Sequence, residues 1–199
     1  MKRLILLIVS SILLINVSFA ATYNSDPKIF IAELVEDALK TLSDKSIPQK
    51  EKNKFIKKIA LENVDIRALG MYTLGETRKK LDSPTLKRYE ELFQNYFLKS
   101  LTSRLSDYSS NKFEVTSVDQ KSSTYTIVKS KVIETSNQPE IKIDWRVYTK
   151  DPLKPLIRDL IVEGVSLARA QKEEFTSILN SNNNDINFLF KKLEEFIEN

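Results

Sequence analysis

From Asp26 onward the apolar positions recur first with a helical period, then with a strand period, then with a helical one again. Asp26-Pro27 is a helix start, a capping carboxylate with proline at the first helical position, and Ile31, Leu34, Val35, Ala38, Leu39 and Leu42 mark one face. Ile47-Pro48 interrupts the pattern, and a basic stretch from Lys50 to Lys58 carries Phe55, Ile56, Ile59 and Ala60 as a second stripe. Asp65 caps a short third helix with Ile66, Leu69 and Met71 inward, and Gly70 and Gly75 permit close packing or reversal. Ser83-Pro84 opens the strongest helical signal, with Leu86, Tyr89, Phe93, Tyr96, Phe97, Leu101 and Leu105 every three or four residues.

From Asn111 the period becomes two: Phe113/Val115, Thr126/Val128/Ser130/Val132 and Ile141/Ile143/Trp145/Val147 alternate with polar neighbours, and Leu156 to Val162 is a denser fourth strand. Turn-rich separators at Asp119 to Ser123, Ser136 to Glu140 and Lys150 to Pro155 predict an antiparallel meander. Helical spacing returns with Leu167, Phe175, Ile178 and Leu179, and after the polar break Asn180 to Asn184, Asp185 caps a last helix carrying Ile186, Leu189, Phe190, Leu193 and Ile197. The expected fold is α+β, with N-terminal helices, a four-stranded antiparallel sheet and C-terminal helices in one domain spanning 21–199.

The first twenty residues read as an address. Lys2 and Arg3 precede the apolar run Leu4 to Ile15, and Ser18-Phe19-Ala20 supplies small residues at a cleavage site, so a signal peptide over 1–20 is expected. The run is shorter than the roughly 20 residues a spanning helix needs. No cysteine follows it, which excludes a lipoprotein. Export to a bacterial periplasm or beyond is the implied location. Among 199 residues there is neither cysteine nor histidine, so disulfides, thiol nucleophiles, Cys/His metal sites and histidine-based triads are excluded, and three glycines leave no Gly-rich phosphate loop. The formal charge is +4; without Lys2 and Arg3 there remain 29 basic against 27 acidic residues, a balance that gives no reason to expect a nucleic-acid partner.

Three constellations remain. Asp159 and Glu163 share one face of a strand about 13 Å apart at roughly 3.3 Å per residue, wider than the roughly 5–9.5 Å of glycosidase carboxylate pairs, and a solvated or arginine-paired role near Arg146 and Arg158 is the simpler reading. Lys50, Lys52, Lys54, Lys57 and Lys58, and Arg78-Lys79-Lys80, form basic clusters that suit a solvated face, anionic head groups or an acidic partner. The aromatic stripe Tyr89, Phe93, Tyr96 and Phe97 suits a core, or the lining of an apolar cavity enclosed by the sheet and the long helix.

The run Leu160-Ile161-Val162-Glu163-Gly164-Val165-Ser166-Leu167, preceded by Asp159 and followed by Phe175, resembles the D-V-x-V-(D/E)-G-V-S-L signature of the MlaC, or toluene-tolerance, family. Asp26-Pro27, Val64-Asp65, Leu74-Gly75 and Leu92-Phe93 fall where that family has its D-P, F-D, L-G and L-F pairs, so the likeness spans 26–197; Arg78 stands where the family usually has Trp, and Leu101 where it usually has Tyr. The resemblance implies a periplasmic phospholipid carrier, without enzymatic activity, metal or cofactor, whose cargo is the bound phospholipid. Its implied partners are an outer-membrane lipoprotein–porin complex and an inner-membrane ABC transporter with an MCE-domain ring, in a pathway that keeps outer-membrane lipid asymmetry; the protein is expected to be a monomer. Given a lipid cavity, alternation places Val128, Val132, Ile143, Trp145, Val147, Leu160 and Val162 on the sheet's inner face, with Phe93, Phe97, Leu101 and Leu105 of the long helix opposite them as lipid-binding residues. A hopanoid carrier, a hydrolase using Asp159 or Glu163, and an adaptor with a filled core are the alternatives.

Overall fold

A computed structural model describes residues 23–105, 112–133 and 140–199. The expected signal peptide lies outside the described residues, as does most of the separator Ser136 to Glu140. The first helix, α1 (Pro27–Ser43), begins as its capping pair dictates: the Asp26 carboxylate accepts the backbone N–H of Lys28 and Ile29 at 2.9 and 3.1 Å. It is followed by α2 (Gln49–Asn63), α3 (Ile66–Thr73), a 3-10 segment (Gly75–Lys79) and the long α4 (Ser83–Leu105). Then come β1 (Phe113–Ser122), β2 (Tyr125–Val132), β3 (Ile141–Tyr148), β4 (Leu156–Val162), the two-residue β5 (Val165–Ser166), α5 (Leu167–Asn180) and α6 (Ile186–Glu198).

The sheet is an antiparallel meander in the order β1-β2-β3-β4-β5, one short strand more than the alternation predicts. Asp119 to Ser123, expected as a turn, is mostly the second half of β1, which reverses only at Ser123-Thr124. Bulges between Val115 and Ser117 and between Gln120 and Ser122 break its alternation, and an edge strand with solvent on its flank tolerates the polar residues that imitate a turn.

Three apolar clusters hold the domain together. The largest joins α3, α4, α5 and α6 around Tyr89, Phe93, Phe175, Leu189, Phe190 and Leu193. Gly70 is required there, since a Cβ at that position would lie 2.9 Å from Cδ1 of Phe93. The buried Thr73 hydroxyl donates to the Gly70 carbonyl at 2.8 Å and accepts from the Tyr89 hydroxyl at 2.7 Å, so both buried oxygens are satisfied. A second cluster packs α1 on the sheet, and a third, around Leu42, Ile56 and Ile59, joins α1, α2 and the end of α4.

Candidate functional site

The register of the meander arranges the sheet's inner face in four rows. Phe113, Val132 and Ile141 form the first; Val115, Ser130, Ile143 and Val162 the second; Val118, Val128, Trp145 and Leu160 the third; and Gln120, Thr126, Val147 and Ile157 the fourth. Val128, Val132, Ile143, Trp145, Val147, Leu160 and Val162 thus share one face, as alternation requires. A bulge opposite Arg146/Val147 lets Ile157 and Leu160 stay on that face although they are three residues apart.

The cover is different from the one expected. Phe30, Ile31 and Leu34 of α1 pack on Val128, Val147 and Ile157, with Phe113 and Val115 also against this cluster, so α1, and not α4, closes the third and fourth rows and the β1 edge of the first two. Helix α4 packs mainly against α3, α6 and α2. Its Phe93 is locked between Gly70, Tyr89 and Phe175 in the helical cluster, with Phe97 stacked beside it, and Leu101 and Leu105 pack on the Leu42–Ile56–Ile59 cluster. Phe93, Phe97, Leu101 and Leu105, expected opposite the sheet, thus have their packing partners among the helices. Their helical period identifies a buried face, and any apolar element can occupy the other side of it.

The cover is also partial. Val128 and Val147 are 0% exposed beneath α1. Towards the other end of the sheet, Val132, Ile141, Ile143 and Val162 are half-buried and lie outside the three clusters. Trp145 stands at the boundary: its ring meets Phe113 edge-on at 6.2 Å between centroids, and its indole N–H donates to the Ser130 hydroxyl at 2.8 Å, which in turn donates to the Ile143 carbonyl at 2.9 Å. Every polar atom this wall places on the face between Val128 and Val132 is thus paired, and the remaining surface is aliphatic or aromatic. Ile141, outside the expected set, belongs to the same alternation and shares the face, and the Trp145–Ser130 bond has no signal in sequence spacing. Such a surface can bury hydrocarbon.

The opposite face accounts for the signature run. Glu163 and Gly164 both adopt left-handed backbone, φ 48° and 82°, forming the two-residue reversal from β4 to β5. The Ser166 hydroxyl accepts the Arg169 N–H at 3.1 Å as the cap of α5 and donates to Asp159 at 2.6 Å. Asp159, buried, also accepts the Ala168 N–H at 2.9 Å and lies 3.3 Å from the Arg146 guanidinium. Glu163 accepts the Lys142 N–H across the strand pair. Both carboxylates expected as catalytic candidates are therefore engaged in holding backbone. Arg158 forks onto one oxygen of Asp65 at 2.9 and 2.7 Å and lies over the Tyr148 ring, tying α3 to the sheet. Arg78, in the position where tryptophan is usual, donates to the Met71 carbonyl at 2.9 Å and closes the 3-10 segment onto α3.

Two surface grooves lie elsewhere, one of about 500 Å³ beside Tyr72 and α5, the other of about 830 Å³ along α2. Among the described residues, no cluster of acidic side chains suits a metal ion and no helix is long and apolar enough to cross a membrane.

The fold has a solved counterpart in the phospholipid-binding protein from Ralstonia solanacearum, determined in complex with a phospholipid: the TM-score is 0.70 at 16% identity, over 84% of this chain and 94% of that one. Comparison with curated proteins gives no match. The sequence model described as MlaC protein matches residues 32–195, which takes in α2 to α5 whole and most of α1 and α6, and by that match the chain belongs to the MlaC family.

Proposed function

We propose that this protein is a periplasmic phospholipid carrier that buries acyl chains against the part of the inner sheet face left uncovered by α1. The single observation that carries the reading is the half-buried aliphatic surface of Val132, Ile141, Ile143 and Val162, continuous with Trp145 and Leu160, outside the three packed clusters. Membership of the MlaC family and the phospholipid held by the Ralstonia relative of like fold support the choice of cargo. Phe97, Leu101 and Leu105, half-buried on α4, would border the chains from the helical side, whereas Phe93, Val128 and Val147 serve the packing beneath. The carrier would work without covalent chemistry.

Physics sets its task. Each methylene kept from water is worth about 0.8 kcal/mol, so exposing two chains of about 15 methylenes costs on the order of 20 kcal/mol or more, and transfer without a carrier is negligible. Burial comparable to that in a bilayer allows both loading and release. The carrier would exchange lipid between an outer-membrane lipoprotein–porin complex and an inner-membrane MCE-domain transporter, sustaining outer-membrane asymmetry; the basic, then apolar, leader supports export to the periplasm.

The test is organic extraction of the protein purified from a periplasmic fraction, with mass spectrometry of what dissolves. Diacyl phospholipid near one per chain is the expected result. A hopanoid would change the cargo, and a folded protein without lipid would leave an adaptor.

A further inference from the structure

Helix α2 buries Ile56, Ile59, Ala60 and Asn63 and turns the opposite side to solvent. On that side Lys50, Lys54, Lys57, Lys58 and Leu61 follow at spacings of four, three, one and three residues, a strip about 17 Å long at 1.5 Å per residue. With Asn53 and Glu62 they line the open groove of about 830 Å³. Lys54 is 80% exposed and lies 3.9 Å from Glu51; among the described residues Lys50, Lys57 and Lys58 form no ion pair. Lys52, by contrast, is turned to the Leu42 carbonyl, 2.6 Å away, and helps fasten α2 to α1. The other basic cluster is differently employed: Arg78 holds the Met71 carbonyl and Lys79 pairs with Glu76.

We propose that this lysine face of α2 docks the protein on an anionic bilayer surface. Charge complementarity demands a negative partner, and the residue types choose between kinds of partner. Protein interfaces are enriched in arginine and aromatic anchors and depleted in lysine. Here all four cations are lysines, α2 holds no arginine, and the groove has one apolar side chain, Leu61, 49% exposed, and no aromatic one. Flexible, strongly hydrated ammonium groups suit a fluid layer of phosphates with no fixed geometry, while arginine suits fixed carboxylates. The open groove likewise offers breadth and no shaped pocket. The inference stands apart from the cargo reading, since it uses none of the sheet residues.

The test is flotation of the protein, recovered from a soluble periplasmic fraction, with vesicles of phosphatidylcholine alone or mixed with phosphatidylglycerol. Binding to the mixed vesicles only is expected, weakening as salt rises and the screening length falls from about 10 Å at 0.1 M to about 3 Å at 1 M. At roughly fivefold for each lysine, the triple variant Lys54→Glu, Lys57→Glu, Lys58→Glu should lose on the order of a hundredfold in partition, whereas Lys79→Glu, Lys80→Glu should retain it. Circular dichroism and the extracted lipid report fold and cargo separately, and the Lys→Gln triple replaces the Glu one if the latter fails to fold. Equal binding by wild type and triple variant overturns the proposal. So does wild-type protein that stays unbound at low salt, which would leave the face to an acidic protein.

Discussion

Val147 and Ile143 each lie two positions from Trp145, on either side of it and on the same face of the same strand, yet they answer to different demands. Val147 has no exposed surface and touches the α1 cluster, so a carboxylate there would be an unpaired buried charge. Ile143 is half-buried and outside that cluster. Val147→Asp is expected to abolish folding, with a cost of several kcal/mol, read as loss of the thermal transition. Ile143→Asn is expected to cost about 1 kcal/mol and to strip the bound phospholipid from a folded protein. The two substitutions would be told apart by thermal melting combined with lipid extraction; an Ile143→Asn protein that melts normally and keeps its lipid removes Ile143 from the site. Alternation assigns both residues to one face but is blind to which part of that face another element covers. That is why the face was legible in the sequence and the division between its covered and uncovered parts was not.

At the scale of elements, the starts of α1, α3 and α6 were legible because each rests on one capping side chain: Asp26, Asp65 and Asp185 accept backbone N–H groups of their helices, as Ser166, unread as a cap, does for α5, whereas α2 starts at Pro48 without a side-chain cap. Helix partners were not. Phe30, Ile31 and Leu34 on α1 and Phe93, Phe97 and Leu101 on α4 carry the same period, and the long helix, with the larger aromatic stripe, is the natural choice to face the sheet. In the fold α1 lies there, and the chain just after α2 is tied to β4 by the Val64–Ile157 bridge and the Asp65 N–H to the Ile157 carbonyl. The short β5 escaped notice since two residues show no period. Its function is to bring Ser166 and Asp159 together at the start of α5. Asp159→Asn removes the charge facing Arg146 and one of the acceptors of the cap, so a loss of about 1–3 kcal/mol is expected, visible as a lower melting temperature with phospholipid still bound. Hydrolysis of lipid esters by the wild type, lost in this variant without a change in melting, would instead make Asp159 catalytic.

For the whole molecule, the lack of histidine and the locations of its shifted groups define the response to pH. Burial pushes the hydroxyls of Tyr23, Tyr89, Tyr96 and Tyr125 above the ordinary value of 10.0, Tyr23 also by the neighbouring Asp37 carboxylate. A raised folded-state pKa means that the neutral form is favoured by folding, so this stability is complete below pH 10 and is lost as pH rises beyond it. On the acid side Asp44, Glu76, Asp82 and Glu195 are held below the usual carboxylate range, each chiefly by a side-chain hydrogen bond, from Ser46, Lys79, Thr85 and Lys192 respectively. Their contribution is present above the ordinary carboxylate range and falls away as pH drops through the lowered values. These carboxylates are on the surface, whereas Tyr89 is in the core, so the alkaline loss should be the steeper. Melting temperature should be level between about pH 5 and about pH 9, and a step near neutrality would contradict this charge inventory.

The central claim is a location for hydrocarbon: the part of the inner face around Val132, Ile141, Ile143 and Val162 that lies outside the packed clusters. The most direct measurement is site-specific photocrosslinking in protein carrying its natural cargo, with a photoreactive residue at Ile143 or Val132 and, as the control, at Ile127, half-buried on the other face of β2. Phospholipid adducts at Ile143 and Val132, absent at Ile127, are the expected result. Adducts at Ile127 alone, or at none of the three while lipid is present in the sample, would contradict the account.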